Sequence, residues 1–424
     1  MEPVTHLLTG ACIGRAGLNR KTAYATLAAV LASEAADLDV LWGLGGPVEE
    51  LKHHRGITHT FIAAPVVAGV VVGAVWLLHR WAQARRKRKM LAAFTPDERT
   101  PVEVRGIPPL PQKCQTAGPS TSPSPSTSSG SGSAQDDSGK DGAPSVLGNP
   151  VRGLLQPPRW GWLYLTALIA ALSHLLLDWA NNYGLRPFFP FNPRWYAGSF
   201  FFIAEPVLWG LLLLALIVPW LLALTDSEIG ARRKPFRGRG WAFFALAGMV
   251  VLGCWRWAEQ AQARAMAENT QIAADPVKRM ALEPYPVNPF RWHVLLETEE
   301  YYQTAEIDTY TGSIESDPRR NVLFKPSSTA AAEAAKRTPL GQVYLDWGAW
   351  AVVRDVGEEP IAGMDPPRLP PNRQWTTVEF TDLRYAYSFL GAGRAVGRSP
   401  LSGWVYIVDG RDDAGEFLNG RVQR

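Results

Sequence analysis

Long apolar runs are the feature that most restricts how this 424-residue chain can fold. They occupy 61–78, 160–179, 200–224 and 241–257. Each has close to the roughly 20 residues that an α-helix needs to cross about 30 Å of hydrocarbon. They predict a polytopic membrane helical bundle. The whole-chain hydrophobic fraction of 46% conceals these runs, because it averages them with polar segments.

Two further apolar segments, a short one at 4–18 and another at 22–44, precede these runs. The second begins as a good helix and carries Glu34, Asp37 and Asp39 near its far end. The N-terminus has no basic start followed by an apolar core and a cleavage site, so we expect no removable signal peptide. Residues 1–92 are therefore predicted to form an N-terminal membrane region.

Residues 93–158 change in composition to Pro, Ser, Thr, Gly and Asp. Such a segment cannot bury enough apolar surface to offset its ordering entropy, so it is predicted to be a disordered cytoplasmic linker without a catalytic role. Membrane helices are predicted to resume over 159–258. The linker thus separates two membrane regions.

Residues 259–424 are predicted to form a small α+β extramembrane domain. An alanine-rich helix is expected at 327–337, and the linking helix at 258–270 acts as a stalk. Segments with the β-branched and aromatic content of short strands lie at 291–297, 350–354, 375–380 and 404–408. The predicted fold is mainly α, a membrane bundle followed by this domain.

Basic clusters indicate which ends of the spans face the cytoplasm. They lie at 15–21, 85–89 and 232–239, and the positive-inside rule places them in the cytoplasm. The C-terminal domain is therefore expected outside the cytoplasm. The net charge of +4 is too small to indicate a nucleic-acid partner.

The sequence restricts how a metal would be held. Cys12, Cys114 and Cys254 are far apart and indicate neither a disulfide framework nor a thiolate zinc site. His174 and Asp178, in contrast, lie one helical turn apart on one face of an apolar run. Ionisable groups there usually mark function. A histidine simply hydrogen-bonded to an aspartate at a helix end is the other interpretation.

The predicted topology brings residues of the types that bind metals to one face of the membrane, the outer face. They are His6, Asp37, Asp39, His54, His59 and Asp178. Imidazoles and carboxylates without cysteine suit zinc, manganese or iron, and this number of ligands could hold two or three ions. Two metals about 3.5–4 Å apart would activate a water and stabilise a phosphoester displacement.

Simpler interpretations of these residues stay open. Asp37 and Asp39 can be a solvated pair at a helix end, and Thr58 can cap the following helix. Arg55 can face either a lipid phosphate or a substrate phosphate. His79, beside the basic cluster at 85–89, is expected to be an interface residue and not a ligand.

The order of these motifs resembles the YdjM-type family of bacterial inner-membrane, metal-dependent hydrolases over residues 1 to about 258. The shared motifs are His6, Asp37-Leu-Asp39, His54-Arg-Gly-Ile-Thr-His59 and His174-Leu-Leu-Leu-Asp178, then Tyr183-Gly184 and Asn192-Pro-Arg-Trp195. That family is described as LexA-regulated and is related in fold to zinc-dependent phospholipase C and to single-strand-specific zinc nucleases. The segment 286–292 resembles a domain that longer members append.

The resemblance implies a helical bundle around a metal cluster. Its implied ligands are His6, Asp37, Asp39, His54, His59, His174 and Asp178. Ser199 stands where an acid is expected, and Glu205 stands where aspartate is common. The linker is an insertion relative to the compact family pattern.

The residues therefore favour a membrane-bound metal-dependent hydrolase acting on a lipid or lipid-linked phosphate. The motif itself does not distinguish a phosphoester from an amide or a carboxylic ester. A metal-bound water would attack, Asp37 or Glu34 would take its proton, and Arg55 would hold the phosphate. The alternative is a non-enzymatic membrane protein with a structural or transported metal and a partner-binding C-terminal domain. Transporters carry ionisable residues near mid-membrane, whereas here these residues gather at one face. Oligomeric state is not indicated.

Overall fold

The structure is a computed structural model that describes residues 2–93, 158–228, 237–317, 319–387 and 401–423. The predicted disordered linker, apart from its end residues 93 and 158, lies outside the described residues. Contacts divide the chain into one unit of residues 1–78 with 153–424 and a second unit of residues 79–152. In the second unit, His79 and Gln83 are hydrogen-bonded within a helix.

The N-terminal region is helical. Its helices are α1 (Pro3–Arg15), α2 (Ala25–Glu34), α3 (Pro47–His53), α4 (Ala63–Ala93), α5 (Trp160–Ala180), α6 (Pro206–Glu228) and α7 (Arg239–Asn269). Four of the described helices, α4 to α7, are long and apolar enough to cross a membrane. The predicted spans are all found. The stalk expected after residue 257 is the continuation of α7.

Helix α6 begins later than the apolar run at 200–224 predicted. Pro206 stands at the first turn of the helix, where its missing N–H and fixed φ are tolerated. The preceding Phe200 and Phe201 N–H groups instead donate to the Ala180 carbonyl at the end of α5. An apolar run alone does not distinguish such an extended segment from the helix that follows it.

The segment predicted at 22–44 also changes structure partway. Helix α2 ends at Glu34, and Ala36–Gly45 is a 3₁₀ helix. Aspartates compete with helical hydrogen bonding and glycines weaken helices, and this stretch contains Asp37, Asp39, Gly43 and Gly45. The tighter helix turns the two aspartates toward the bundle interior.

Glycines allow α1 and α2 to pack closely. A Cβ on Gly10 would lie 2.3 Å from Ser33 Oγ, and one on Gly14 would lie 2.5 Å from Thr26 Cα. Neither distance is possible between real atoms, so both positions require glycine. This packing brings His6 of α1 and the end of α2 next to α5.

The C-terminal region contains two five-stranded antiparallel sheets. The first has β1 (Arg279–Pro284), β2 (Arg291–Glu297), β3 (Tyr301–Asp308) and β4 (Ser313–Glu315) in order, with β5 (Val322–Phe324) paired to β3. The second has the order β10 (Arg421–Val422), β9 (Asp412–Leu418), β8 (Gly403–Val408), β7 (Trp375–Asp382), β6 (Ala351–Gly357). Helices α8 (Ala330–Ala335) and α9 (Pro339–Trp347) connect the two sheets. All the strands predicted from the sequence are present among these.

The two regions share hydrophobic cores. Leu177 and Phe200 from the helical region belong to one cluster with Trp292 and Ile307 of the first sheet. Val48 and Leu51 of α3 pack in another cluster with α9 and the second sheet. The C-terminal sheets are therefore packed against the end of the bundle at which α5 finishes.

Candidate metal centre

Four side chains converge where the 3₁₀ segment meets the end of α5. Asp37, His59, His174 and Asp178 each offer a ligand atom, and these atoms all lie within 4.8 Å of one another. His59, His174 and Asp178 are completely buried, and the Asp37 side chain is 19% exposed. The sequence placed all of them among the predicted ligands, and the structure brings them together.

His174 is oriented by a backbone contact. Its Nδ1 lies 2.7 Å from the Ser33 carbonyl oxygen, so this nitrogen carries the hydrogen and donates it. Its Nε2 then faces Asp178 Oδ2 at 3.2 Å and Asp37 Oδ1 at 3.6 Å. A second hydrogen bond of this kind commonly fixes the tautomer of metal-binding histidines.

His59 lies between two aspartates. Its Nε2 is 3.2 Å from Asp37 Oδ1 and 3.4 Å from Asp178 Oδ2. Its Nδ1 is 3.2 Å from Asp39 Oδ2 on the opposite side of the ring. Asp39 thus lies behind His59 and supports it as a carboxylate supports a ligating imidazole.

Four of the six distances among these atoms are close to those around a tetrahedral ion. Zinc bonds to nitrogen and oxygen are about 2.0–2.1 Å, which places tetrahedral ligands about 3.3 Å apart. The distances between His Nε2 and Asp oxygen atoms here are 3.2, 3.4, 3.2 and 3.6 Å. Asp37 Oδ2 and His174 Nε2 are also buried without a hydrogen-bond partner among the described residues. Buried atoms of that kind are costly unless a ligand satisfies them, so the residues fit a divalent metal.

His6 and His54 lie at two edges of this group. His6 Nε2 is 3.4 Å from Asp178 Oδ1, and its ring stacks on His174 with centroids 3.8 Å apart. His54 is partly exposed, and its Nδ1 is 3.3 Å from Asp39 Oδ1. Ligation by His6, His54 or Asp39, and with it a second or third ion, stays a prediction.

Arg55 points inward. Its Nη2 lies 2.8 Å from Asp178 Oδ1, and its Nη1 donates to the Gly184 carbonyl at 2.6 Å. The guanidinium also lies 4.5 Å from the centre of the Tyr183 ring. In this structure Arg55 orients Asp178, and its predicted contact with a phosphate stays a prediction.

Glu34, predicted as a proton acceptor, is the last residue of α2 and lies outside the group of four. It is only partly buried, and its Oε1 has no hydrogen-bond partner among the described residues. It precedes Asp37 by three residues. Its role as a proton acceptor stays a prediction.

Burial and hydrogen bonding shift the pKa values of these side chains in opposite directions. Burial by itself raises the pKa values of Asp37 and Asp39, but hydrogen bonds from His59 to Asp37 and from His54 and His59 to Asp39 outweigh it, so both pKa values are lowered. Burial lowers the pKa of His59, but its bonds to Asp37 and Asp39 leave that pKa raised. The carboxylates are thus ionised, and a metal must compete with a proton for His59.

The turn after α5 supports Asp178 and was not predicted. Asn181 Nδ2 donates to Asp178 Oδ1 at 3.4 Å, and Asn181 Oδ1 accepts from the Tyr183 N–H at 2.7 Å. The Asn182 carbonyl accepts from Arg384 Nη1 of the C-terminal region at 3.1 Å. Asn181 is three residues from Asp178, a spacing that sequence reasoning can find, but nothing in the sequence points to Arg384.

Ser199 and Glu205, the two departures from the family pattern, lie outside the group of four. Glu205 Oε2 pairs with Arg256 of α7 at 3.0 Å, and its Oε1 accepts from the Val287 N–H. The Ser199 carbonyl accepts from Gln260. These residues connect the bundle to α7 and the first sheet.

Comparison with protein families supports the resemblance that the order of motifs indicates. No curated protein and no solved structure was found to match the chain. The family model described as YdjM inner membrane protein matches residues 1–263. That range contains α4, α5, α6 and most of α7, together with all four residues of the candidate metal centre. The chain is a multi-pass inner-membrane protein and belongs to the YdjM inner membrane protein family.

Proposed function

We propose that this protein is a metal-dependent hydrolase of the inner membrane that cleaves a phosphoester in a lipid or lipid-linked phosphate. The observation that carries the proposal is the buried group Asp37, His59, His174 and Asp178, whose atoms have tetrahedral spacing. Two imidazoles and two carboxylates suit zinc, with manganese and iron as alternatives.

A bound divalent ion would supply a Lewis acid and a water of lowered pKa. The protein's own groups have separate tasks. Asp39 and the Ser33 carbonyl fix the two imidazoles, and Arg55 fixes Asp178. Asp37 is the most exposed of the four, so the substrate approaches from its side. Glu34, or Asp37 itself, takes the proton of the attacking water.

We propose that the site lies at the outer face of the membrane, with the C-terminal domain outside the cytoplasm. The basic cluster at 15–21 begins at the last residue of α1, the end away from His6, and the cluster at 85–89 lies in the last turns of α4, the end away from His59. The positive-inside rule places such clusters in the cytoplasm. A reporter fused after Arg424 should be active outside the cytoplasm. A cytoplasmic signal would reverse the assigned orientation.

The burial of the group also favours a second candidate, a structural or transported metal in a non-enzymatic protein whose C-terminal domain binds a partner. Three of the four residues have no exposed surface, which is common for structural sites. Hydrolysis separates the two candidates. A structural metal would be bound without turnover of any phosphoester.

The test is hydrolysis of labelled phospholipids and polyprenyl phosphates by the full chain in nanodiscs. Native protein should release product, and Asp178→Asn should lose at least about a hundredfold in rate if the site is catalytic. His79→Ala is the matched control, because His79 is hydrogen-bonded to Gln83 and is no part of the group. Equal rates for native and Asp178→Asn protein would contradict the proposal.

A further inference from the structure

The segment that carries Asp37 and Asp39 presents apolar side chains outward. Leu38, Val40, Leu41, Trp42 and Leu44 are each more than half exposed, and Leu44 is 90% exposed. The only charged residues of Ala36–Gly45 are the two aspartates. Both contact His59 of the group of four residues. A contiguous exposed apolar surface of this kind marks an interaction site.

A second apolar group lies beside it, just before α4. Phe61 and Ile62 are more than half exposed, and the Phe61 ring lies 5.6 Å from that of Phe188, itself 47% exposed. The two groups adjoin because His59, two residues before Phe61, contacts Asp37. We call Leu38, Leu41, Trp42, Leu44, Phe61 and Phe188 the apolar rim.

The depth of the rim follows from the helices that hold it. Helix α2 has ten residues and is therefore about 15 Å long, half of the roughly 30 Å hydrocarbon layer. It starts near the beginning of α5, where the Arg159 N–H donates to Thr22 Oγ1. It ends where the Ser33 carbonyl meets His174, within the last two turns of α5. The 3₁₀ segment therefore runs alongside the end of a membrane span.

The surroundings favour the lipid layer as the occupant of the rim. Its second group leads directly into α4, whose Val66 and Val70 are more than 60% exposed on a candidate span. The apolar surface is thus continuous with a surface that faces lipid. Among the described residues, a hydrogen bond from Gln423 to the Gly45 carbonyl joins the C-terminal region to the end of the 3₁₀ segment.

We propose that the apolar rim inserts into the leaflet at the metal-centre end of the spans, so that an amphiphilic substrate reaches Asp37 from the lipid layer. Insertion itself does not depend on any activity. The statement about substrate entry rests on the proposed hydrolase function.

Insertion is tested by fluorescence in nanodiscs. Leu41→Cys and Leu44→Cys are each made with Cys114→Ser and Cys254→Ser, which leaves only the buried Cys12, and labelled with bimane. Lys52→Cys on α3 is the control, because Lys52 has an exposed side chain. Bimane at 41 and 44 should be quenched by doxyl lipids and protected from iodide, and bimane at 52 should show the reverse. Iodide quenching at 41 and 44 equal to that at 52 would overturn the proposal, as would protection from both quenchers in a dimer.

Substrate entry is tested by comparing two substrates. Leu41→Glu should reduce hydrolysis of a vesicle-embedded lipid phosphate about tenfold, because a charged side chain opposes insertion. It should leave hydrolysis of a short, water-soluble phosphoester unchanged. Lys52→Glu should change neither rate. Equal loss on both substrates would overturn substrate entry from the lipid layer, but it would leave the bimane result on insertion intact. Absence of all turnover in native protein would contradict the hydrolase function and not the insertion.

Discussion

The two nitrogen atoms of each central histidine have different partners. Nδ1 of His174 is held by a backbone carbonyl and Nδ1 of His59 by Asp39, while both Nε2 atoms face Asp37 and Asp178. The residues around the two Nε2 atoms would bind the metal, and the partners of the two Nδ1 atoms orient the ligating imidazoles. We therefore expect Asp37 and Asp39, two positions apart, to have unequal tasks.

Replacement of each aspartate should reveal this difference. Asp39→Asn should lower metal affinity about 10–100-fold, as expected for a residue that orients a ligand. Asp37→Asn should lower it further, since a proposed ligand is removed. Competition with a chelator of known affinity measures both. A larger loss for Asp39→Asn than for Asp37→Asn would exchange the two roles.

The sequence identified the candidate ligands, but it did not predict how all of their side chains are arranged. One helical turn separates His174 from Asp178, so their contact follows from helical geometry, and the structure confirms it at 3.2 Å. The inward turn of Arg55 was not predictable, because its partners Asp178 and Gly184 are distant in sequence. Spacing constrains pairs on one helix, but it cannot orient a side chain between segments.

At the scale of elements, the short hairpin of α1 and α2 determines where the metal group lies. The two helices have 13 and 10 residues, and their packing depends on Gly10 and Gly14. Apolar composition predicted helices here. It did not predict the end of α2 at Glu34, because the 3₁₀ segment that follows is equally apolar.

Close packing of the hairpin should make it sensitive to a single methyl group. Gly14→Ala would place a Cβ against the Thr26 backbone and should destabilise the protein by about 1–3 kcal/mol. Gly69→Ala on α4 is the matched control, because a Cβ there has no neighbour within 4 Å. Thermal unfolding in detergent measures both. A Gly14→Ala variant as stable as Gly69→Ala would show that the hairpin does not pack as described.

At the scale of the whole molecule, the C-terminal sheets are part of the support of the metal group. Arg384, paired with Asp382, donates to the Asn182 carbonyl, and Asn181 next to it contacts Asp178. The sequence predicted the β2, β6, β7 and β8 strands from their β-branched and aromatic content. It could not predict this packing against the bundle, which joins residues some two hundred positions apart.

Buried ionisable groups in this region should make stability depend on pH. Burial raises the pKa of Glu283 from 4.5 to about 8. The folded state therefore holds more protons than the unfolded state between these values, and stability falls as pH rises through that window. Glu283→Gln should raise the melting temperature relative to native protein at pH 8.5 and much less at pH 5.5. The exposed Glu315→Gln is the control, and a difference independent of pH would contradict the assignment.

The most direct test of the metal centre is X-ray absorption of the purified full chain together with its metal content by mass spectrometry. Native protein should contain a divalent transition metal with about four nitrogen and oxygen ligands at about 2.0–2.1 Å and no sulfur. His174→Ala should lose the metal, and His79→Ala should retain it. A native protein without bound metal, or a His174→Ala variant with an unchanged spectrum, would contradict the account.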